Sequence, residues 1–329
     1  MPPSPVIFGP VTSSRLGRSL GLDLLGKKIC SFDCIYCEVG ATTALTLARR
    51  PYVPAHWLLD ELAEWKKKAA APLDHLTLGG SGEPCLNSDL AEIIEGAKQL
   101  FPTVPVAVLT NSSLLNDPEV RSALALADVV LPSLDTLVEA EFRAVNQPHP
   151  DVDLAALAAG LTAFRREFKG KLYLEVLLVA GVNDAQANLE RLAVYCRTLA
   201  PERVDVTTLS RPGAYPQARA ADKKALAAFR TALGPTGKDK SPPTVAIKAD
   251  FRHNSSVGID SGLDGSANVA TDLQETIFQS LRRRPQTPDQ LGQALGLDSR
   301  AVSAALTTLV ATGRAVRDHE GFFLAKSGA

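Results

Sequence analysis

The stretch "KKICSFDCIYCEVG", Lys27–Gly40, decides how this chain is interpreted. It holds three of the protein's five cysteines, Cys30, Cys34 and Cys37, in the spacing C-x3-C-x2-C. A closed structural zinc site takes four ligands, and a thioredoxin-like redox site needs only two thiols. Three thiolates on a short loop suit three irons of a four-iron cluster, whose fourth iron then stays open to a ligand that the protein does not supply.

The same three cysteines also fit a different kind of site. A zinc ion bound by three loop thiolates would be completed by a distant residue, for which His75, His149 and Cys85 are candidates. The protein would then be a non-enzymatic zinc- or iron–sulfur-binding regulator. The spacing by itself leaves both alternatives open.

Length and charge narrow the class of protein. The chain has 329 residues and a formal net charge of −1, which suits one large and one small domain and argues against coating nucleic acid by bulk electrostatics. Its first residues, "MPPSPVIFGPVTSSR", do not resemble a signal peptide, and no apolar run approaches the roughly 18 residues of a membrane span. We therefore expect a cytoplasmic protein with no membrane partner, in which clustered cysteines bind metal or catalyse rather than form disulfides.

Apolar segments alternate with amphipathic segments along most of the chain. We predict strands at Ser19–Leu25, His75–Gly80, Val104–Asn111, Ala127–Asp135, Lys171–Asp184 and Arg203–Gly213. We predict helices at Ala55–Ala69, Asp89–Phe101, Asp117–Leu126, Val138–Val145, Leu154–Phe168 and Gln186–Leu199. This alternation indicates an α/β fold with a parallel sheet covered by helices. Periodicity does not choose between a doubly wound sheet and part of a barrel, but in both the chemistry lies at the carboxyl ends of the strands.

The composition changes after residue 233. We predict a catalytic domain over residues 1–233, a turn-rich linker over 234–270 in which "TVAIKADF" can add a strand, and a small domain over 271–329. The small domain has an amphipathic helix, two helices separated by a turn near Gly296–Asp298, and two short strands. This order predicts a winged helix-turn-helix.

The cysteine loop, with the aromatic Tyr36 just before its last cysteine, resembles that of the radical S-adenosylmethionine (SAM) superfamily. The segments "GPVTSSRLGRSLGLDLL", "GGSGEP" and "LEVLLVAGVND" resemble a subgroup of uncharacterised iron–sulfur oxidoreductases that is grouped with wyosine-type transfer-RNA enzymes. The resemblance implies a six-stranded partial barrel and a [4Fe-4S] cluster bound by Cys30, Cys34 and Cys37, with SAM on the open iron. It also implies an enzyme that cleaves SAM to a 5′-deoxyadenosyl radical, with electrons from a donor of the flavodoxin or ferredoxin type.

The resemblance, together with the positions of Glu175 and Arg211 at the expected mouth of the barrel, suggests which residues contact SAM. In "GGSGEP", glycines let the backbone approach a ligand closely, and Glu83 accepts a hydrogen bond from the SAM amino group. The candidate SAM contacts are Tyr36, Gly79, Gly80, Ser81, Gly82, Glu83, Ser133, Glu175 and Arg211. Tyr36 would stack on adenine, Ser133 would bind the ribose and Arg211 would offset the carboxylate.

Each of these assignments has a structural alternative. "GGSGEP" is also an ordinary glycine-rich turn, and Tyr36 also suits simple loop packing. A charge inside an apolar strand, as at Glu175, is either functional or paired with a basic residue on a neighbouring strand. Asn111 and Asp135 end two predicted strands and are further ribose candidates, although Asn111 equally suits a turn cap. The sequence identifies no catalytic side chain.

The sequence of the small domain does not identify the class of substrate. Its predicted recognition helix, "SRAVSAALTTLVATG", carries one charge, Arg300, whereas base reading usually relies on Arg, Lys, Asn or Gln. The arginines that could contact phosphates are Arg282, Arg283, Arg284, Arg314 and Arg317. Docking of RNA and docking of a peptide or protein remain equally supported. Cys85 and Cys196 are expected to be ordinary small apolar residues.

Overall fold

The computed structural model describes residues 6–13, 15–68, 72–234, 265–283, 285–318 and 321–326. The predicted strand "TVAIKADF", most of the predicted linker and Arg284 lie outside these residues. Within the described ranges, no helix is both long enough and apolar enough to cross a membrane.

The described elements follow the predicted alternation. The strands are β1 (Ile7–Ser13), β2 (Gly17–Leu22), β3 (Ile29–Cys30), β4 (Ala44–Leu45), β5 (His75–Leu78), β6 (Val106–Thr110), β7 (Val129–Pro132), β8 (Lys171–Leu178), β9 (Arg203–Thr208), β10 (Ala315–Arg317) and β11 (Phe323–Ala325). The helices are α1 (Ala55–Lys68), α2 (Leu90–Leu100), α3 (Pro118–Leu124), α4 (Glu139–Val145), α5 (Leu154–Glu167), α6 (Gln186–Leu199), α7 (Lys223–Leu233), α8 (Gly265–Arg283), α9 (Pro288–Leu295) and α10 (Ser299–Ala311). A short 3-10 helix spans Pro84–Leu86.

The main sheet is a curled half-barrel. Its strand order is β1-β2-β5-β6-β7-β8-β9, in which β1 is antiparallel to β2 and the remaining neighbours are parallel. Each of the six predicted strands overlaps one of the six parallel strands. The predicted six-stranded partial barrel is therefore confirmed.

The edge strand β1 was not predicted. Its sequence contains Gly9 and Pro10, and the pairing with β2 is irregular between Phe8 and Val11. On β2, Gly21 makes room for β1, because a Cβ atom there would lie 2.1 Å from the Phe8 ring. Glycine and proline are the usual signals of a turn, so the local sequence pattern did not predict this strand.

Alternation along β8 separates the two faces of the sheet. Leu172, Leu174, Val176 and Leu178 are fully buried, whereas the residues between them are partly exposed. Tyr173, one of those partly exposed residues, packs on a separate apolar cluster of Leu16, Ala107, Val129 and Leu131. Even-numbered residues of β8 therefore face the helices and odd-numbered residues face the barrel interior.

The described part of the small domain is a winged helix. The helices α8, α9 and α10 bury their own core, which includes Ile277, Phe278, Leu291, Val302 and Leu309. Thr287 and Gln290 form a capping box at the start of α9, and the antiparallel strands β10 and β11 form the wing. This arrangement confirms the predicted fold of the domain, and α9 packs against the edge strand β1.

Candidate active site

The three cysteines lie on a loop that follows β2 and is fixed by its own backbone. Strand β3, which ends at Cys30, pairs with β4 in the same loop, and the Thr46 amide donates to the Cys30 carbonyl at 3.0 Å. The Thr43 hydroxyl donates to the Lys28 carbonyl at 2.7 Å, and the Cys37 amide donates to the Cys34 carbonyl at 3.1 Å. These hydrogen bonds fix the backbone of the loop.

Each cysteine sulfur has one N–H donor from a side chain. Asn111 Nδ2 lies 3.5 Å from Cys30 Sγ, Asn146 Nδ2 lies 3.6 Å from Cys34 Sγ, and Lys28 Nζ lies 3.0 Å from Cys37 Sγ. These three donors come from the end of β6, the end of α4 and the loop itself. Asn111 reaches the loop because the carboxyl ends of the parallel strands face it.

Burial makes the Cys30 and Cys34 thiols poor acids in the absence of a cation. It raises the pKa of Cys30 to about 11 and raises the pKa of Cys34 well above its usual value, and the neighbouring sulfurs raise the Cys34 pKa further. Burial alone would lower the pKa of Lys28, but the sulfurs of Cys37, Cys30 and Cys34 raise it. Thiolates in this loop therefore require positive charge, which bound iron provides.

Each candidate for the fourth ligand of the zinc alternative already has a protein contact. His75 begins β5, at the end of the sheet away from the loop, and its Nδ1 lies 2.8 Å from the Leu16 carbonyl. The Cys85 thiol donates to Thr110 Oγ1, and His149 Nδ1 lies 3.7 Å from Asp151 Oδ2. In the described ranges, no three His, Cys, Asp or Glu side chains converge on a position for a single ion. A four-iron cluster needs no such convergence, because each thiolate binds a different iron.

The "GGSGEP" segment packs backbone to backbone against the cysteine loop. A Cβ atom at Gly82 would lie 1.7 Å from the Ile29 carbonyl oxygen, and the Glu83 amide donates to that same oxygen at 3.2 Å. Gly80 has φ = +143°, and the Ser81 hydroxyl donates to Asp23 Oδ2. Gly82 thus permits the close approach of two loops, which is compatible with the predicted approach of this segment to a ligand.

Glu83 is buried and tied to the end of β6. Its Oε1 accepts from the Cys85 amide at 3.0 Å and from Thr110 Oγ1 at 2.7 Å, and its Oε2 accepts from the Asn111 amide at 2.7 Å. Burial raises the Glu83 pKa, whereas these hydrogen bonds lower it. A carboxylate oxygen accepts two donors, so Oε2 has room for one more, such as an ammonium group.

A cavity opens beside the cysteine loop. Its lining includes Phe32, Tyr36, Asn111, Ser133, Asp135 and Asn146. The Tyr36 hydroxyl donates to Asp135 Oδ2 at 2.5 Å, and Asn146 Nδ2 donates to the same oxygen at 2.7 Å. The Ser133 hydroxyl has no hydrogen-bond partner among the described side chains, so it is available to a ligand. The structure therefore brings the candidates Tyr36 and Ser133 to one cavity, together with Asn111 and Asp135.

Glu175 and Arg211 lie outside that lining and have protein partners. Glu175 faces the barrel interior and forms an ion pair with Arg15, which lies in the turn between β1 and β2 rather than on a neighbouring strand. Arg211 NH1 lies 2.8 Å from Glu38 Oε2 in the cysteine loop, and its Nε donates to Gln290 Oε1 at 3.1 Å. Glu175 is therefore paired with a basic residue, as its structural alternative required, but that residue is not on a neighbouring strand.

Sequence reasoning missed Lys28 and Asn146, which contact the cysteine sulfurs. Lys28 precedes the first cysteine by two residues, and this proximity is a signal that could have been used. Asn146 follows α4 and is 112 residues from Cys34 in sequence, so no local pattern links the two.

Comparison with known proteins agrees with this geometry. The model of the radical SAM superfamily matches residues 27–193, and the model of the DprA winged helix domain matches residues 263–320. This chain belongs to the radical SAM superfamily. It is therefore an enzyme of a superfamily that binds a [4Fe-4S] cluster, cleaves SAM and typically draws electrons from a donor.

The relatives define the subgroup but not the substrate. A UPF0026 protein of Synechocystis sp. is 37% identical over 63% of this chain and 77% of its own length. A protein named GTPase Obg from Brachyspira hyodysenteriae is 35% identical over 94% of this chain, which spans 43% of that relative's length. A radical SAM methyltransferase from Sphaerobacter thermophilus has a TM-score of 0.50 at 18% identity, covering 65% of this chain and 62% of its own, and it shows the fold alone.

Proposed function

We propose that Cys30, Cys34 and Cys37 bind three irons of the cluster, that SAM occupies the adjacent cavity, and that the enzyme acts on a macromolecule recruited by the winged helix. The observation that carries this proposal is the position of two of the three sulfurs. Those of Cys30 and Cys34 lie against Asn111 and Asn146, which line the same cavity as Tyr36 and Ser133. When bound, the cluster and SAM supply a 5′-deoxyadenosyl radical. The chain's own residues bind, orient and shield these groups.

The cavity residues suit distinct parts of SAM. Asp135 fixes the Tyr36 hydroxyl, so the Tyr36 ring keeps one orientation against adenine. The Ser133 hydroxyl binds the ribose, and Glu83 Oε2 accepts from the amino group, with the backbone of Gly79, Gly80, Ser81 and Gly82 lining the approach. In this proposal Glu175 contacts SAM only if it gives up its ion pair with Arg15, and Arg211 only if it gives up its ion pair with Glu38.

The contacts of α9 support recruitment of a macromolecule. This helix packs against β1, at one edge of the half-barrel, and Gln290 Nε2 donates to the Ser210 carbonyl at 3.3 Å, just beyond β9 at the other edge. A substrate bound to the winged helix would therefore lie beside the open side of the barrel. Arg314, one of the candidate phosphate contacts, is already paired with Glu275 at 2.7 Å and stacked on Phe278. This pairing does not favour RNA, so RNA and peptide are both tested as substrate classes.

The test begins with anaerobic reconstitution and analysis of iron and sulfide. We expect about four irons per chain and formation of 5′-deoxyadenosine from SAM with dithionite. One zinc per chain and no cleavage of SAM would instead support the regulator. RNA and peptide fractions are then added separately, and a fraction that contains the substrate should increase 5′-deoxyadenosine formation and yield a product of changed mass.

A further inference from the structure

The donors that contact the cysteine sulfurs are held in place by the protein. One hydrogen of the Asn146 amide bonds to Asp135 Oδ2 at 2.7 Å, and its Nδ2 also reaches Cys34 Sγ at 3.6 Å. Asn111 Nδ2 likewise bonds to Ser31 Oγ at 2.8 Å and reaches Cys30 Sγ at 3.5 Å. Asn146 Nδ2 also lies 3.4 Å from the Tyr36 hydroxyl. Each amide nitrogen is therefore anchored on an oxygen and lies within reach of a cysteine sulfur.

Lys28 differs from the two asparagines because it carries a charge. Its side chain is half-buried, and its ammonium group lies 3.0 Å from Cys37 Sγ, the shortest of the three contacts. Its neighbour Lys27 is exposed, and in the described ranges the Lys27 ammonium makes no hydrogen bond or ion pair. The chain thus offers two adjacent lysines, of which one contacts a sulfur and one serves as a control.

A donor beside a cluster sulfur changes the energy of reduction. Reduction adds one negative charge that is shared by the irons and sulfurs, so a fixed N–H donor or a cation stabilises the reduced form more than the oxidised form. Hydrogen bonds to the sulfurs are among the factors that set the reduction potential of an iron–sulfur cluster. Partial burial strengthens the effect because water screens it less.

We propose that Lys28, Asn111 and Asn146 raise the reduction potential of the cluster by donating to its cysteine sulfurs, and that Lys28 contributes most. This inference rests on the proposed function, since it requires a cluster on the three cysteines. The predicted order follows from charge and distance: one ammonium group at 3.0 Å against two neutral amides at 3.5 and 3.6 Å. A donor for each sulfur would make the cluster easier to reduce with a cellular electron carrier.

The test is a redox titration of the reconstituted protein without SAM, monitored by electron paramagnetic resonance. We expect Lys28→Met to disfavour reduction about tenfold, which for one electron lowers the midpoint potential by about 59 mV. Lys28→Arg keeps a charged donor and should recover at least half of that shift, and Lys27→Met should leave the potential unchanged. Asn111→Ser should disfavour reduction about two- to threefold, as expected of a neutral donor.

The outcomes separate this inference from the function on which it rests. If the unmodified protein binds no four-iron cluster, the proposed function fails first. If Lys28→Met binds a full cluster at the unmodified potential, the cluster exists and the inference is wrong. If Lys28→Met cannot hold four irons, the Asn111→Ser variant provides the test. A midpoint potential of Asn111→Ser below that of the unmodified protein supports the inference, and an unchanged midpoint potential overturns it.

Discussion

Gly82 gives the sharpest test of how the two loops of the site fit together. In Gly82→Ala, the new Cβ atom would lie 1.7 Å from the Ile29 carbonyl oxygen, whereas real Cβ contacts essentially never fall under 3.0 Å. One of the two backbones must therefore move by about 1.3 Å, and the 3.2 Å hydrogen bond from the Glu83 amide to that oxygen is lost or weakened. Overpacking costs about 1–3 kcal/mol and the hydrogen bond about 1 kcal/mol, so we expect a loss of roughly 2–4 kcal/mol.

The assay compares two alanine variants of the same segment. At Gly79 a Cβ atom would meet Leu109 Cβ at 3.5 Å, an ordinary contact, so Gly79→Ala should change the free energy of unfolding by less than about 1 kcal/mol. Denaturant unfolding of the metal-free proteins measures this difference, and iron content after reconstitution shows whether the Cys30 strand has moved. If Gly82→Ala unfolds like Gly79→Ala and binds the same amount of iron, the reasoning is refuted.

Replacing any cysteine of the loop by Ala should abolish the iron–sulfur absorbance, whereas Cys85→Ala and Cys196→Ala should retain it; a requirement for Cys85 would contradict the open-iron argument. Glu83→Ala should weaken SAM binding while the cluster stays, by the roughly 1.5–3 kcal/mol of a charge-assisted hydrogen bond, or about 10- to 150-fold in affinity; calorimetry on the loaded protein measures this change. A chain that ends near Asn268 should still bind the cluster and form 5′-deoxyadenosine slowly, but its turnover of the true substrate should fall through weaker binding.

Local patterns were sufficient to predict the barrel but not everything that packs on it. The six parallel strands are apolar runs that the sheet buries on at least one face, so each leaves a signal in its own sequence. The edge strand β1 has Gly9 and Pro10 within it, and it forms because Phe8 packs over Gly21. The helix α7 was also missed, although it lies just before the change of composition on which the domain prediction relied.

The site residues also fall into two groups, those that the sequence predicts and those that only the fold reveals. Cys30, Cys34 and Cys37 were found because their spacing is itself the signal, whereas their donors come from other parts of the fold. The pairing of Glu175 with Arg15 spans 160 residues of sequence, so the charge could be noticed but its partner could not be named. Spacing predicts ligands on one loop, and only the folded chain shows what surrounds them.

The contact between α9 and the barrel raises the question of whether the barrel keeps its cysteine loop in shape without the winged helix. Gln290 reaches Ser210 and Arg211 through hydrogen bonds of 3.3 and 3.1 Å, each of which contributes about 1 kcal/mol net. Removing the winged helix would leave Arg211 paired with Glu38 at 2.8 Å. The loop would also keep its own backbone bonds and the donors that reach its sulfurs, none of which comes from the winged helix. The energy that shapes the cysteine loop thus lies within the barrel, so SAM cleavage should survive the loss of α9 while substrate recruitment should not.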